Sequence, residues 1–196
     1  MEIKWHGNTS FSFKGEKTSV IINPEREGQK GEIVLSSLLS GLKDVEGQAK
    51  VFDWPGEYEI KGVPIVAFEA FTKPMSEDND ENQNSSPTVI FYFEIDGIKC
   101  CHLGELGHSL KSEVLKEISE VDVLMVKAGN NANLSVKKAG EIIEAIDPRV
   151  LLIMGDEQTE FIKDLSILDQ IPEEKLQIKA NSLPENERMV LRLEKI

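Results

Sequence analysis

Apolar and polar positions change rhythm about halfway along this chain. In the first half they form short runs rich in β-branched and aromatic residues. These are EIKWH (2–6), SFSFKG (10–15), TSVIIN (18–23), EIVLSS (32–37), KVFDW (50–54), YEIKG (58–62) and VPIVAFEAFT (63–72). Gly, Asn and Lys turns separate them, so they predict strands. GEYEIKGVPI predicts a hairpin turning at Lys61-Gly62. A further run, TVIFYFEID (88–96), turns at Asp96-Gly97 and returns as IKCCHLG (98–104).

The second half alternates periods. Residues 109–121 put Leu110, Val114, Leu115 and Ile118 on one helical face, with Ser109 as N-cap. The apolar run 122–129 predicts a buried strand, 135–147 a helix ending before Pro148, and 149–155 another buried strand. A third helix is expected over 157–171, and closing strands over 175–182 and 188–195. Helices alternating with apolar strands argue for sheet surface covered by helices, and the strand-rich first half argues for antiparallel pairing. One α/β domain spanning 1–196, with two sheets between helices, satisfies both.

Between the last strand of the first block and the next lies KPMSEDNDENQNSSP, residues 73–87. From Ser76 to Ser86 it has four acids, no base and no apolar side chain, so it reads as a mobile loop and not a domain linker. Over the whole chain the net charge is -13, which argues against nucleic acid or an anionic membrane as partner. No apolar run approaches the roughly 20 residues of a membrane span. The opening MEIKWHGNTSFSF has no basic region followed by an apolar core, so no signal peptide is expected. Cys100 and Cys101 are adjacent and point to opposite faces of a strand, which disfavours a disulfide between them. They read as core thiols of a cytoplasmic protein.

Candidate chemistry is sparse. The strand 32–37 runs into SSLLSGLKD, a small-residue loop of the kind that carries sites, yet with little to do chemistry. The histidines are His6, His102 and His108; the last two flank HLGELGH, whose two glycines allow close backbone approach and whose carboxylate is Glu105. A carboxylate between imidazoles suits metal binding or proton transfer, although a glutamate in a turn is more often simply exposed or capping. There is no nucleophile elbow, P-loop or dinucleotide fingerprint.

Four blocks, in order, resemble the metallo-β-lactamase-fold hydrolases, most closely the compact Zn-dependent branch related to ascorbate-6-phosphate lactonases. They are IKWHGNTSFSFKGEKTSVIINP, DWPGEYEIKGVPI, IKCCHLGELGHSLKSEVLKEISEVDVLMVKAG and AGEIIEAIDPRVLLIM. The resemblance implies a four-layer αββα sandwich with its site at one edge between the sheets. It also implies two zinc ions that activate water for hydrolysis. Carried over position by position, the family's metal ligands fall on Ser37, Leu39, Gly41, Leu42, Thr72, Glu105 and Gly155. Only Glu105 keeps a ligand-type side chain, one methylene longer than the family's aspartate. Nearby, the family's Gly-His becomes Gly7-Asn8 and its Asp-Pro becomes Asn23-Pro24.

Catalytic zinc takes about three protein ligands. The resemblance and its departures therefore imply a relative without bound metal, cofactor-free, acting in binding, scaffolding or assembly. Its partner would be another protein or a small molecule, and a homo-oligomer or pairing with an active homologous subunit stays open. The alternative is a residual hydrolase of lactones, phosphodiesters or other esters, using Glu105, His102, His108 and His6 with one metal or none.

Overall fold

A computed structural model describes residues 1–25, 29–38, 51–73, 85–118, 120–129, 132–156 and 159–196. Seven strands come first: β1 (Glu2–Gly7), β2 (Ser10–Lys14), β3 (Ser19–Ile22), β4 (Ile33–Leu35), β5 (Val51–Phe52), β6 (Gly56–Ile60) and β7 (Val63–Phe71). Next are β8 (Pro87–Ile95), β9 (Ile98–His102), α1 (Ser112–Glu117), β10 (Val123–Val126), α2 (Val136–Ile146) and β11 (Val150–Ile153). The chain closes with α3 (Thr159–Asp164), β12 (Leu176–Gln177) and β13 (Met189–Arg192).

These strands form two mixed sheets, ordered β12-β1-β2-β3-β4-β5 and β13-β11-β10-β9-β8-β7-β6. Short turns make the antiparallel pairs β1–β2, β2–β3, β6–β7 and β8–β9. Lys61-Gly62 and Asp96-Gly97 both have positive φ at each position (52° and 76°; 54° and 73°). That is the backbone of a two-residue hairpin turn whose twist matches the flanking strands. The parallel pairs β9–β10, β10–β11 and β11–β13 lie where helices intervene.

Alternate side chains of the facing strands build the core between the sheets, with Phe11, Phe13, Phe91, Phe93 and Met125 all fully buried. Phe13 meets Phe93 edge-on across the gap, centroids 5.1 Å apart. The opposite face of the seven-stranded sheet is covered by α1, α2 and α3 through Ile118, Ala139, Ile142, Ile143, Ile146, Phe161 and Ile162. On the outer face of the six-stranded sheet, the register neighbours Ile21 and Val34 are also buried, so that face too is covered. The two cysteines divide between the faces as expected: Cys100 joins the inter-sheet core and Cys101 the helix side. Burial raises both thiols, Cys101 to about 12, which leaves them unreactive.

Several boundaries differ from the sequence expectation. The first helix begins after Lys111, which offers no side-chain cap, and not at Ser109. Ser109 lies before the helix, its carbonyl accepting a hydrogen bond from the His108 ring (2.8 Å). Its apolar face is as expected: Ile118 is buried, and Leu110, Val114 and Leu115 pack on the helix-side core. The third helix stops at Asp164; Ser166 is left-handed (φ 57°), and Leu168 and Ile171 beyond it are exposed. The strand expected over 175–182 pairs only at Leu176–Gln177 and then enters a 3-10 turn, Ala180–Ser182. In the expected loop 73–87, Pro87 already belongs to β8, and the stem is tied by the Thr72 amide to the Ser86 carbonyl (2.9 Å). Most of that loop, 74–84, lies outside the described residues. No helix among the described residues is long and apolar enough to cross a membrane.

Candidate functional site

The site expected at the sheet edge is built where β4, β9, β10 and β11 end and the β1–β2 turn folds over them. After β4 the chain crosses toward the other sheet. Its Ser37 carbonyl accepts two hydrogen bonds from β8, one from the Val89 amide (2.9 Å) and one from the Thr88 hydroxyl (2.9 Å). The same hydroxyl accepts the Glu105 amide (3.2 Å). One buried threonine therefore joins the Ser37 and Glu105 segments. Gly104, with φ 59°, fits between them: a Cβ there would lie 2.7 Å from the Val89 carbonyl and 3.0 Å from Ser37 Cβ.

On the Ser37 side the contacts are neutral and buried. Asn23 Oδ1 accepts from the Ser37 amide (2.7 Å), and Nδ2 donates to Ser37 Oγ (2.7 Å) and Thr9 Oγ1 (3.0 Å). An aspartate, the residue implied at position 23 by the resemblance, would meet the same hydroxyls as acceptor but bury a charge; the amide makes these contacts while staying neutral. His102, fully buried, spans the two sheets. The Gly104 amide donates to its Nδ1 (3.1 Å), so Nε2–H donates to the Thr9 carbonyl (3.0 Å). Burial holds the ring neutral, its pKa lowered to about 4.

On the Glu105 side the contacts are charged. Lys127, the residue after β10, places Nζ 2.9 Å and 3.1 Å from the two Glu105 carboxylate oxygens and 2.8 Å from Asn8 Oδ1. Lysine and glutamate side chains are each 14% exposed. Asn133 Nδ2 donates to the same carboxylate (3.1 Å) and to the Glu105 carbonyl (3.2 Å). The Gly155 amide, at the end of β11, donates to the Asn8 carbonyl (2.9 Å).

Ser37, Glu105 and Gly155 are therefore brought together through Thr88 and Asn8. Thr72 abuts the same loop, because Gly107 packs directly on its carbonyl and the Gly107 amide donates to Phe71 (2.9 Å). Leu39, Gly41 and Leu42 lie outside the described residues. His108 faces the end of β7: the Phe71 amide donates to its Nε2 (3.1 Å). His6 is on the outer face of the six-stranded sheet, hydrogen bonded to Ser12 Oγ (2.8 Å). Lys127, Asn133, Thr88 and Thr9 escaped the sequence reading. The available signal was Lys127 itself, a charge closing an otherwise buried strand, which demands a counter-charge near the strand end.

Residues 2–155 match the β-lactamase superfamily domain, a stretch ending on Gly155. The chain belongs to this superfamily. A curated relative, the UPF0173 protein PYRAB01190 of Pyrococcus abyssi, is 25% identical over 79% of this chain and 82% of its own. Among solved structures, a protein from Thermotoga maritima assigned to the Zn-dependent hydrolases of the metallo-β-lactamase superfamily covers 98% of this chain and 97% of its own. It has a TM-score of 0.73 at 24% identity. The isothiocyanate hydrolase from Delia radicum gut bacteria covers 92% and 100%, with a TM-score of 0.65 at 11% identity. These likenesses establish the αββα superfamily fold.

Zinc is the metal this fold implies, and the donor set can be tested against it. The described positions offer two hydroxyls, one carboxylate and a glycine, and Leu39, Gly41 and Leu42 carry no donor side chain. The Ser37 hydroxyl is taken by Asn23, and the Thr72 hydroxyl accepts the Ser86 amide (3.0 Å). Among the described residues, no three His, Cys, Asp or Glu side chains gather as a metal site requires. The described residues at these positions do not fit a catalytic zinc.

Proposed function

We propose that this chain is a non-catalytic superfamily member that works by binding or assembly and needs no metal. The observation that supports this reading concerns the positions that the resemblance implies as ligands: Ser37, Glu105 and Gly155 meet at one sheet edge, and of these three Glu105 alone has a ligand-type side chain. A scaffold that retains its geometry and replaces donors by small groups remains useful as a surface. Against the hydrolase alternative, two of its candidate bases are engaged within the protein. His102 uses both ring nitrogens inside the protein, and Glu105 holds an ammonium and an amide. The charge of -13 favours a partner other than nucleic acid or an anionic membrane, namely a protein or small molecule in the cytoplasm.

Metal analysis of protein purified at neutral pH from zinc-supplemented cells tests the reading. Zinc well below one equivalent per chain is expected. Near-stoichiometric zinc that is lost on Glu105→Gln substitution overturns it.

A further inference from the structure

We propose that the Lys127 ammonium is a built-in cation that serves at this sheet edge in place of a metal ion. The proposal rests on the metal-free reading above and names the group that makes it workable. A carboxylate retained in a protected site needs a positive partner, since an uncompensated charge there is costly. Lys127 supplies one from the C-terminal end of β10. Its Nζ touches three oxygens, two of Glu105 at 2.9 Å and 3.1 Å and one of Asn8 at 2.8 Å. An ammonium has three protons and no acceptor, so these contacts match its donor capacity. Through them one cation joins the β1–β2 turn, the loop after β9 and the end of β10. The Gly155 amide reaches the same turn through the Asn8 carbonyl, which adds the end of β11. Charge neutralisation and cross-linking of several segments are the structural services of a bound metal, here supplied by a side chain.

A double-mutant cycle on the intact chain decides it: Lys127→Met, Glu105→Gln, both together, and Lys127→Arg, each unfolded in urea after EDTA treatment, with and without added zinc chloride. Lys127→Met should lower the folding equilibrium constant by about ten- to a hundredfold, because it strands Glu105. Adding Glu105→Gln should recover at least about tenfold of that loss, and Lys127→Arg should stay within about tenfold of wild type. Should Lys127→Met alone fail to fold, recovery of folded protein in the double variant carries the same result. Losses that simply add, or a double variant no better than Lys127→Met, overturn the proposal: the lysine stem would then matter only as packing. Zinc raising the wild-type midpoint would instead count against the metal-free reading, so the two ideas fail by different measurements.

Discussion

The two halves of the sheet edge are held together by different physics. Around Ser37 the contacts are neutral: an amide, two hydroxyls and an imidazole close on one another and on backbone groups, all buried. Around Glu105 they are ionic: a lysine meets the carboxylate, each side chain 14% exposed. The lesson concerns what each half tolerates. A buried neutral network is costly to break because every orphaned group loses water as well as its partner. The Lys127–Glu105 pair is only partly shielded, so water reaches a stranded partner in part and the loss is smaller than for the buried network.

Asn23 should show the largest effect. Asn23→Ala removes the bonds to Ser37 and Thr9 and leaves an alanine at φ 48°. Together these should cost about 4 kcal/mol in urea or thermal unfolding. Asn23→Asp keeps shape and left-handed tolerance but exchanges the amide donors for a buried charge, so it tests whether this half must stay neutral. A loss below about 1 kcal/mol for both would mean that the neutral half is not held by this network.

Acid comes next and again acts on the neutral half. The folded protein holds His102 near pKa 4, below its ordinary 6.5. Above the ordinary value both states are neutral and stability is complete. As pH falls from 6.5 to 4, the unfolded chain binds a proton that the folded chain refuses. Stability is therefore lost over that window, by about 3 kcal/mol in full. His102→Gln should flatten this part of the profile. Glu2, which the Lys175 hydrogen bond lowers to about 2 from 4.5, acts in a lower window and so is separable. An unchanged slope in His102→Gln would assign the acid sensitivity elsewhere.

Much of this arrangement was legible beforehand, and the reasons are specific. The hairpin turns could be read because Lys61-Gly62 and Asp96-Gly97 occupy positive φ, where few residue pairs are comfortable. The second helix was readable in full: Ser135 caps the Lys138 amide (3.3 Å), and Asp147, left-handed at φ 49°, ends it before Pro148. The third helix was overextended because Ser166 turns left-handed and, beyond it, Ile167 packs on the core while Leu168 and Ile171 stay exposed, so the apolar pattern there is not a helical face. Within the candidate site, hydrogen bonds through Thr88 and Asn8 link Glu105, Ser37 and Gly155, which were named from the family resemblance. Their partners were not, because Lys127–Asn8 and His102–Thr9 join residues 119 and 93 positions apart. Local pattern cannot supply such distant adjacencies.

The smallest expected effect separates specific pairing from general charge. A second lysine–carboxylate pair flanks the same edge: Lys195 Nζ lies 2.9 Å from Asp156 Oδ1, and its stem covers Gly7. Its side chains are 41% and 49% exposed, against 14% for both members of the Lys127–Glu105 pair. Asp156→Asn should therefore change stability by at most about 0.5 kcal/mol, and salt should largely erase the difference. Lys195→Ala could cost more through the lost cover over Gly7, which is why the aspartate is the cleaner variant. If Asp156→Asn proved as damaging as Glu105→Gln in the same urea measurement, burial would not be what distinguishes the pairs. The ionic half would then depend on the summed field at the edge, with no special place for the lysine at the end of β10.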